Sequence, residues 1–310
     1  SLTVSIIIPM YNEESFIGQC LDCFSNQTYP KKNFEIIVVD GMSNDDSKNI
    51  VKEYQKQYSN IILLNNEKRK TPISFNIGIK FSKSDVVSIF SAHSKPSKEY
   101  IETAIETLIN TKADCVGGPM NAISSTILGN AIAKSTSTPF GVGHSLFHYS
   151  KKPGYVNTVY QGFFYRELFY KIGFFDEDLI RNQDDEMSYR IQKYGGKIYY
   201  NPNIKSEYYS RANMKKLFLQ YFQYGLFKPL VFYKTKYGMQ IHHFVPTIFS
   251  LYLISLFMFS DNLFYLIPLI MYIILNLYFS LTSNCKMASK VMSIIIYLSL
   301  IHISEPTRLG

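Results

Sequence analysis

The sequence predicts an α/β protein with a mainly parallel sheet and helices on both faces. A basic amphipathic helix and two to three apolar C-terminal helices are expected to follow. Three observations carry this reading. Strand-length apolar runs alternate with helically spaced segments through the first 120 residues. Two stretches, Tyr237 to Ser260 and Asn262 to Cys285, run 24 residues each without a charge. The net charge of +8 is unevenly spread: residues 1–200 hold 22 basic and 21 acidic side chains, and residues 201–310 hold 10 and 3.

Taken in order, Thr3–Ile8 is an apolar run closed by Pro9 and reads as a buried strand. Its Val4–Ile8 core is too short for a signal peptide. Glu13–Ser25 has helical spacing. Within it, Cys20 and Cys23 read as two reduced thiols on one helix face, since no second cysteine pair completes a zinc site. Phe34–Asp40 is a second buried strand. Asp45–Tyr58 is helical, with Ser43 or Asn44 as its cap. Ile61–Leu64 is a short strand, and Pro72 opens a helix to Phe81. Asp85–Phe90 is a strand, Lys98–Asn110 a helix, and Asp114–Gly117 a strand. Residues 120–160, with Gly129, Pro139, Gly141 and Gly143, read as surface loops and short strands. Gln161–Gly173 reads as strand then helix. Asn182–Tyr194 is a helix with an acidic start, which the helix dipole favours.

This βαβα order implies parallel strands, and ligands then sit at the strands' carboxyl ends. The loops Pro9-Met10-Tyr11-Asn12-Glu13, Asp40-Gly41 and Ser91-Ala92-His93 should therefore share one rim. No G-x-G-x-x-G follows the first strand and no phosphate-binding G-x-x-x-x-G-K-[ST] occurs, so a nucleotide must be held in another way.

The composition bounds the rest. Hydrophobic content of 46% and aromatic content of 15% exclude disorder for most of the chain, and four cysteines are no disulfide scaffold. Both 24-residue runs exceed the roughly 20 residues that cross a bilayer. The 14 uncharged residues Val291 to Ser304 fall short, as a re-entrant helix or a shortened span. Seven basic residues and one acidic one lie between Lys205 and Lys236. The positive-inside rule then places the N-terminal part in the cytoplasm of a multi-pass cell-membrane protein. Excess positive charge beside apolar sequence points to membrane lipid rather than nucleic acid. Met214–Phe227 is a basic, aromatic amphipathic helix suited to lie in the membrane plane. The expected organisation is a catalytic domain over 1–205, an interface helix region over 206–236 and membrane segments over 237–304 (about 239–260, 262–283 and a partial 291–304). Residues 305–310 form a tail with the look of a cloning scar.

Six pieces then form a pattern: Ile8-Pro9-Met10-Tyr11-Asn12-Glu13, Val39-Asp40-Gly41-Met42-Ser43, Phe75-Asn76-Ile77-Gly78-Ile79, Ser91-Ala92-His93, Gly117-Gly118-Pro119 and Gln183-Asp184-Asp185-Glu186 leading to Arg190. In this order, over about 220 residues, the set resembles glycosyltransferase family 2, the inverting nucleotide-sugar transferases with a GT-A fold. Lys68-Arg69-Lys70-Thr71-Pro72, Val116-Gly117-Gly118-Pro119-Met120 and Gln220-Tyr221-Phe222-Gln223-Tyr224-Gly225 narrow the likeness to the succinoglycan-type exopolysaccharide glucosyltransferases. Those enzymes extend a sugar on a polyprenyl-diphosphate carrier at the cytoplasmic face.

The resemblance implies a role for each matching residue. Pro9, Tyr11, Asn12, Glu13 and Asp40 would hold the base and ribose of a nucleotide-diphosphate sugar, UDP-linked in the expected case. Arg69 and Arg211 would reach the diphosphate. Asn76, Ser91, Ala92 and Gly118 would line the donor site. Asp184 would be the base that deprotonates the acceptor hydroxyl, with Asp185 as the alternative. Glu186 and Arg190, four apart, would pair as support. His93 would be the ligand of a divalent Mn or Mg ion, although Ser91 stands where the family has Asp. The implied activity is transfer of a hexose to a lipid-linked saccharide. Two other readings stay open: a non-catalytic nucleotide-sugar-binding subunit, and a polyprenyl-phosphate glycosyltransferase.

Overall fold

The computed structural model describes residues 1–142, 146–210, 213–235, 245–259, 263–283 and 285–302. These form two compact units, Ser1–Asn121 with Ser150–Tyr208, and Ala122–Tyr149 with Tyr209–Gly310. The elements run β1 (Val4–Met10), α1 (Ile17–Ser25), β2 (Phe34–Asp40), α2 (Ser47–Gln57), β3 (Ile61–Asn65), α3 (Thr71–Phe81), β4 (Val86–Ile89), β5 (Ser94–Pro96), α4 (Tyr100–Thr111) and β6 (Cys115–Gly118). There follow β7 (Met120–Ile123), α5 (Ile127–Ser135), α6 (Pro139–Val142), β8 (Gly154–Tyr155), β9 (Tyr160–Tyr165), α7 (Arg166–Ile172), α8 (Gln183–Lys193), β10 (Ile198–Tyr200) and β11 (Ser206–Tyr209). The chain continues through α9 (Met214–Thr235), α10 (Val245–Phe259), α11 (Ile267–Thr282) and α12 (Met287–His302).

The first unit is built on an eight-stranded sheet of order β3-β2-β1-β4-β9-β6-β10-β8. β1 lies parallel between β2 and β4, with Met10 opposite Asp40 and Asp40 opposite Asn65 of β3. Val4, Ile6, Ile7 and Ile8 are fully buried, so β1 is covered on both faces. Each such side chain contributes about 1.5–3 kcal/mol. α3 packs close on β1: a Cβ added at Gly78 would lie 2.5 Å from Ile7 Cγ2.

The sheet is mixed rather than all parallel. β9 runs antiparallel to both β4 and β6, and β8 antiparallel to β10. Residues 122–149 belong to the other unit, so no crossover helix in this unit turns the chain back before β9. The cap expected at Ser43 or Asn44 is also corrected. α2 starts at Ser47 after Asp46, and Ser43 Oγ instead accepts the Asn12 N–H at 3.0 Å. Cys20 is buried and Cys23 half-buried; burial pushes both thiols up, which keeps them protonated and unreactive.

The second unit departs further from expectation. Residues 120–160 do not form loops alone: they contain α5 and α6. Ala131 and Ile132 of α5 share a core with Leu217 of α9 and Ile296 and Tyr297 of α12. The expected two to three spans are not confirmed. Among the described residues one helix, Phe264–Thr282, is long and apolar enough to cross a membrane, with a mean hydropathy of 1.9. α10 covers 15 described residues of the first uncharged run, and α12 is a 16-residue apolar helix. The expected amphipathic helix is present and longer, reaching Thr235.

The first strand is held by a carboxylate. Thr3 donates its N–H and its hydroxyl to Asp85 Oδ2, both at 2.8 Å. These bonds hold the Asp85 carboxyl below the usual range. A depressed native pKa contributes stability that is full above the unfolded value of about 3.9 and is lost as pH falls through the native value. Asp85→Asn should therefore flatten the acid limb of stability below about pH 4 and change its slope little at neutral pH. Urea midpoints from pH 7 to pH 2.5 check this, and an unchanged acid limb would contradict it.

Candidate active site

The carboxyl ends of β1, β2 and β3 meet as one rim. Gly41 N–H donates to the Met10 carbonyl at 2.7 Å, and Asn66 N–H to the Asp40 carbonyl at 2.7 Å. Side chains then lace the first two loops together. Asn12 Oδ1 accepts the Asn44 N–H at 3.0 Å, and Ser47 Oγ accepts the Glu13 N–H at 2.7 Å. Three non-glycine residues of these loops have left-handed backbone: Asn12 (φ 54°), Met42 (64°) and Arg69 (57°). For a long side chain such as Met or Arg that conformation is costly and persists only where surrounding bonds hold it.

Asp40 is fully buried. Its carboxylate accepts the Ser43 N–H at 3.2 Å and lies 3.5 Å from Lys48 Nζ. Tyr11, at the rim, is 47% exposed, and the Arg69 guanidinium lies 5.8 Å from its ring centroid. Pro9 is half-buried in β1. This leaves an exposed ring with a cation beside it: partners for a flat base and a diphosphate.

Beyond β4, Ser91 is half-buried and Ala92 buried. His93 Nδ1 lies 3.1 Å from Glu13 Oε1, so the first and fourth strand ends are joined by a carboxylate–imidazole pair. The His93 ring is 5.1 Å from that of Tyr208. Beneath it is a polar hub that sequence reasoning missed. Gln161, buried and left-handed (φ 50°), donates Nε2–H to Ser94 Oγ at 3.0 Å and accepts the Ser206 hydroxyl at 3.0 Å. No sequence signal marks it, because Gln161 stands in a strand whose pairing the pattern does not reveal.

Asn76, expected at the donor site, has its amide spent on the chain. Its Nδ2–H donates to the Phe175 carbonyl at 2.9 Å, and its Oδ1 accepts the Phe175 N–H at 2.9 Å. Lys70 Nζ donates to the Glu177 carbonyl at 3.3 Å. α3 thus holds the loop that leads to α8. Gly118 likewise has a packing reason: a Cβ there would sit 1.8 Å from the Ile204 carbonyl oxygen. Arg211 lies outside the described residues.

At the start of α8 the acids separate. Asn182 precedes them in left-handed backbone (φ 60°). Asp184 is exposed, and its Oδ1 accepts the Asp185 N–H at 3.0 Å. Asp185 is buried; its charge, after burial itself, helps push the Tyr189 phenol well up. Glu186 forms the expected pair with Arg190, at 2.6 and 2.7 Å. The same guanidinium donates to the carbonyls of Ile172, Gly173 and Phe174. Gln183 Oε1 is buried without a hydrogen-bond partner.

A divalent ion finds little here. Among the described residues no group of three or more His, Cys, Asp or Glu side chains converges. Ser91 supplies no carboxylate, and one nitrogen of His93 is engaged by Glu13. These residues do not by themselves make a preformed ion site.

The family model of Glycosyl transferase family 2 matches residues 5–174, which hold β1 to β9. The chain belongs to glycosyltransferase family 2. It is 39% identical over 239 residues to a Methanococcus voltae protein named dolichyl N-acetyl-alpha-D-glucosaminyl phosphate 3-beta-D-2,3-diacetamido-2,3-dideoxy-beta-D-glucuronosyltransferase. That match covers 74% of each chain. It is 27% identical over 222 residues to the succinoglycan biosynthesis protein ExoA of Rhizobium meliloti, covering 71% of this chain and 67% of that one. The solved structure of a Pyrobaculum calidifontis mannosyltransferase in complex with GDP-Man and Mn2+ superposes with a TM-score of 0.63 at 16% identity. It covers 98% of this chain and 87% of its own. Staphylococcus aureus TarS 1–349 with UDP gives a TM-score of 0.54 at 17% identity, covering 97% and 90%. These two share the GT-A-like fold. The chain is thus a glycosyltransferase.

Three outcomes are expected. Gly118→Ala should cost about 1–3 kcal/mol through overpacking, read as a lower urea midpoint. Arg190→Ala should cost about 3 kcal/mol, as breaking a buried ion pair does. It should also lower kcat more than the donor KM, because the start of α8 loses its tether. Calorimetric titration of Mn2+ into donor-free protein should show no saturable binding tighter than millimolar; micromolar binding would reveal a preformed site.

Proposed function

We propose that this glycosyltransferase moves a hexose from a nucleotide-diphosphate sugar, UDP-linked, to a lipid-linked saccharide at a membrane. The observation that carries the site reading is the pair of bonds from Asn76 and Lys70 to residues 175 and 177. They tie the loop at residues 175–177, upstream of the acidic start of α8, to α3 and to Lys70 beside Arg69. In this reading Tyr11 stacks on the base, Asp40 faces the nucleoside and Arg69 meets the diphosphate.

Asp184 is the base. It is the exposed acid of the three, whereas Asp185 is buried and Glu186 is neutralised by Arg190. Asp184 takes the proton of the acceptor hydroxyl as its oxygen bonds to the anomeric carbon. The bond from that carbon to the diphosphate breaks on the opposite face, and the nucleotide diphosphate leaves with its electron pair. Gln183 Oε1, lacking a partner, is suited to accept a substrate hydroxyl beside the base.

Membrane attachment is supported by the polarity of α11 and α12. Asn276, Ser280, Ser289 and Ser293 are buried, while Ile270, Ile274, Val291 and Ile295 are exposed. Asn276 Nδ2–H donates to the Ile294 carbonyl at 3.2 Å. A helix in water shows the reverse order; buried polar groups and exposed aliphatics suit lipid as solvent. The Methanococcus and Rhizobium relatives, named for a dolichyl-linked acceptor and for succinoglycan synthesis, support an acceptor of the same class.

Asp184→Asn is expected to lower kcat by about 10²–10⁴-fold while leaving the donor KM within a few-fold, and Asp185→Asn to cost less. Full activity in Asp184→Asn would instead favour an acceptor that is already ionised, a polyprenyl phosphate.

A further inference from the structure

The segment Ala122–Tyr149 stands in sequence between strands of the catalytic sheet, yet it folds with the C-terminal helices. α5 is bonded to α12 near both of its ends. Ser289 Oγ donates to the Ile127 carbonyl at 3.1 Å, and just past the end of α5 the Thr138 hydroxyl lies 2.9 Å from Tyr297 Oη. Ser289 and Tyr297 are about two turns apart, roughly 12 Å along the helix. Between those bonds Ala131 and Ile132 share a core with Ile296. Phe140 of α6 rests against the rings of Tyr272, Phe279 and Tyr297. Wherever α12 lies in a bilayer, α5 lies beside it.

The segment's own chemistry agrees. Three of its hydroxyls bond back to their own chain: Thr136 to the Ile132 carbonyl, Ser137 to Ala133 and Thr138 to Ser135. Such pairing is what a surrounding without water demands. Ile127 is 51% exposed and Leu146 39%. The charge is also partitioned by unit. The first holds 22 Lys and Arg against 22 Asp and Glu, and the second holds 10 against 2. The whole excess of +8 therefore sits on the second unit, as an anionic lipid surface requires. Lys134 is the only Lys, Arg, Asp or Glu in the segment; it is exposed, and its long stem lets the ammonium reach a headgroup.

We propose that the described residues of this segment, 122–142 and 146–149, form a lipid-facing element, with Ile127 and Leu146 against the acyl chains of an anionic bilayer. This rests on the membrane reading of α11 and α12. The test uses the full chain in phosphatidylcholine–phosphatidylglycerol vesicles, with Cys23 and Cys285 changed to serine. A bimane label is attached at Ile127→Cys, at Val291→Cys on α12, or at Ile109→Cys on α4. Quenching by doxyl-labelled lipid at positions 127 and 291, with iodide quenching alone at 109, is the expected result. Lipid quenching at 291 with only iodide quenching at 127 would overturn the inference and leave the membrane reading intact. No lipid quenching at 127 or 291 would overturn both.

Discussion

The site depends on the register of β1 between β2 and β4. Because the three strands run the same way and β2 pairs in turn with β3, the residues that leave them emerge along one edge. A slip of one residue would turn the buried Ile6 and Ile8 to the opposite face and move Asp40 off the rim. Side-specific contacts are what forbid that slip: Ile7 packs closely on Gly78 of α3, and the Ser5 hydroxyl is hydrogen-bonded with Glu35, Ser82 and Ser84. The loops that follow are then short enough to be fastened by their own side chains. Asn12, Ser43 and Ser47 do the fastening around the left-handed backbones of Asn12 and Met42, and Asn66, which accepts the Arg69 and Lys68 N–H groups, does the same at Arg69. A rim fixed before the donor arrives loses less conformational entropy on binding than a mobile one.

The same economy governs the acids of α8. Arg190 satisfies Glu186 and three carbonyls at once, so the helix start is tethered to the loop after α7. Asn76 and Lys70 tether the neighbouring loop from α3. Asp184 is left exposed on a rigid support, the arrangement a positioned base needs. The two units differ in charge. One is charge-balanced with a doubly covered sheet; the other carries the net charge and turns its aliphatic residues outward.

Much of this was legible in the sequence because it is written locally. Phe34–Asp40 is apolar at nearly every position, so its strand is predicted to the residue, and the helices from Ser47, Thr71 and Gln183 follow from spacing and from Pro72. What was not legible is set by distant partners. β9 reads as a strand, but its antiparallel insertion between β4 and β6 depends on where residues 122–149 go. α5 was missed because Gly129 and its small, polar neighbours imitate a loop; packing against α12 stabilises the helix instead. Ser43 looked like a helix cap, yet its hydroxyl serves the neighbouring loop. Asn76 carries a motif position while its amide holds backbone, and nothing in its spacing distinguishes those uses. The uncharged runs count residues without showing where a helix begins or ends; among the described residues one helix has the length and apolarity of a span.

Transfer to a lipid-linked sugar is tested most directly by following the label. The full chain in vesicles would be given a radiolabelled UDP-hexose and a polyprenyl-diphosphate-linked saccharide. Label is expected to enter the lipid phase as UDP is released in equal amount. Label that stays in water while the donor is bound or hydrolysed would contradict it.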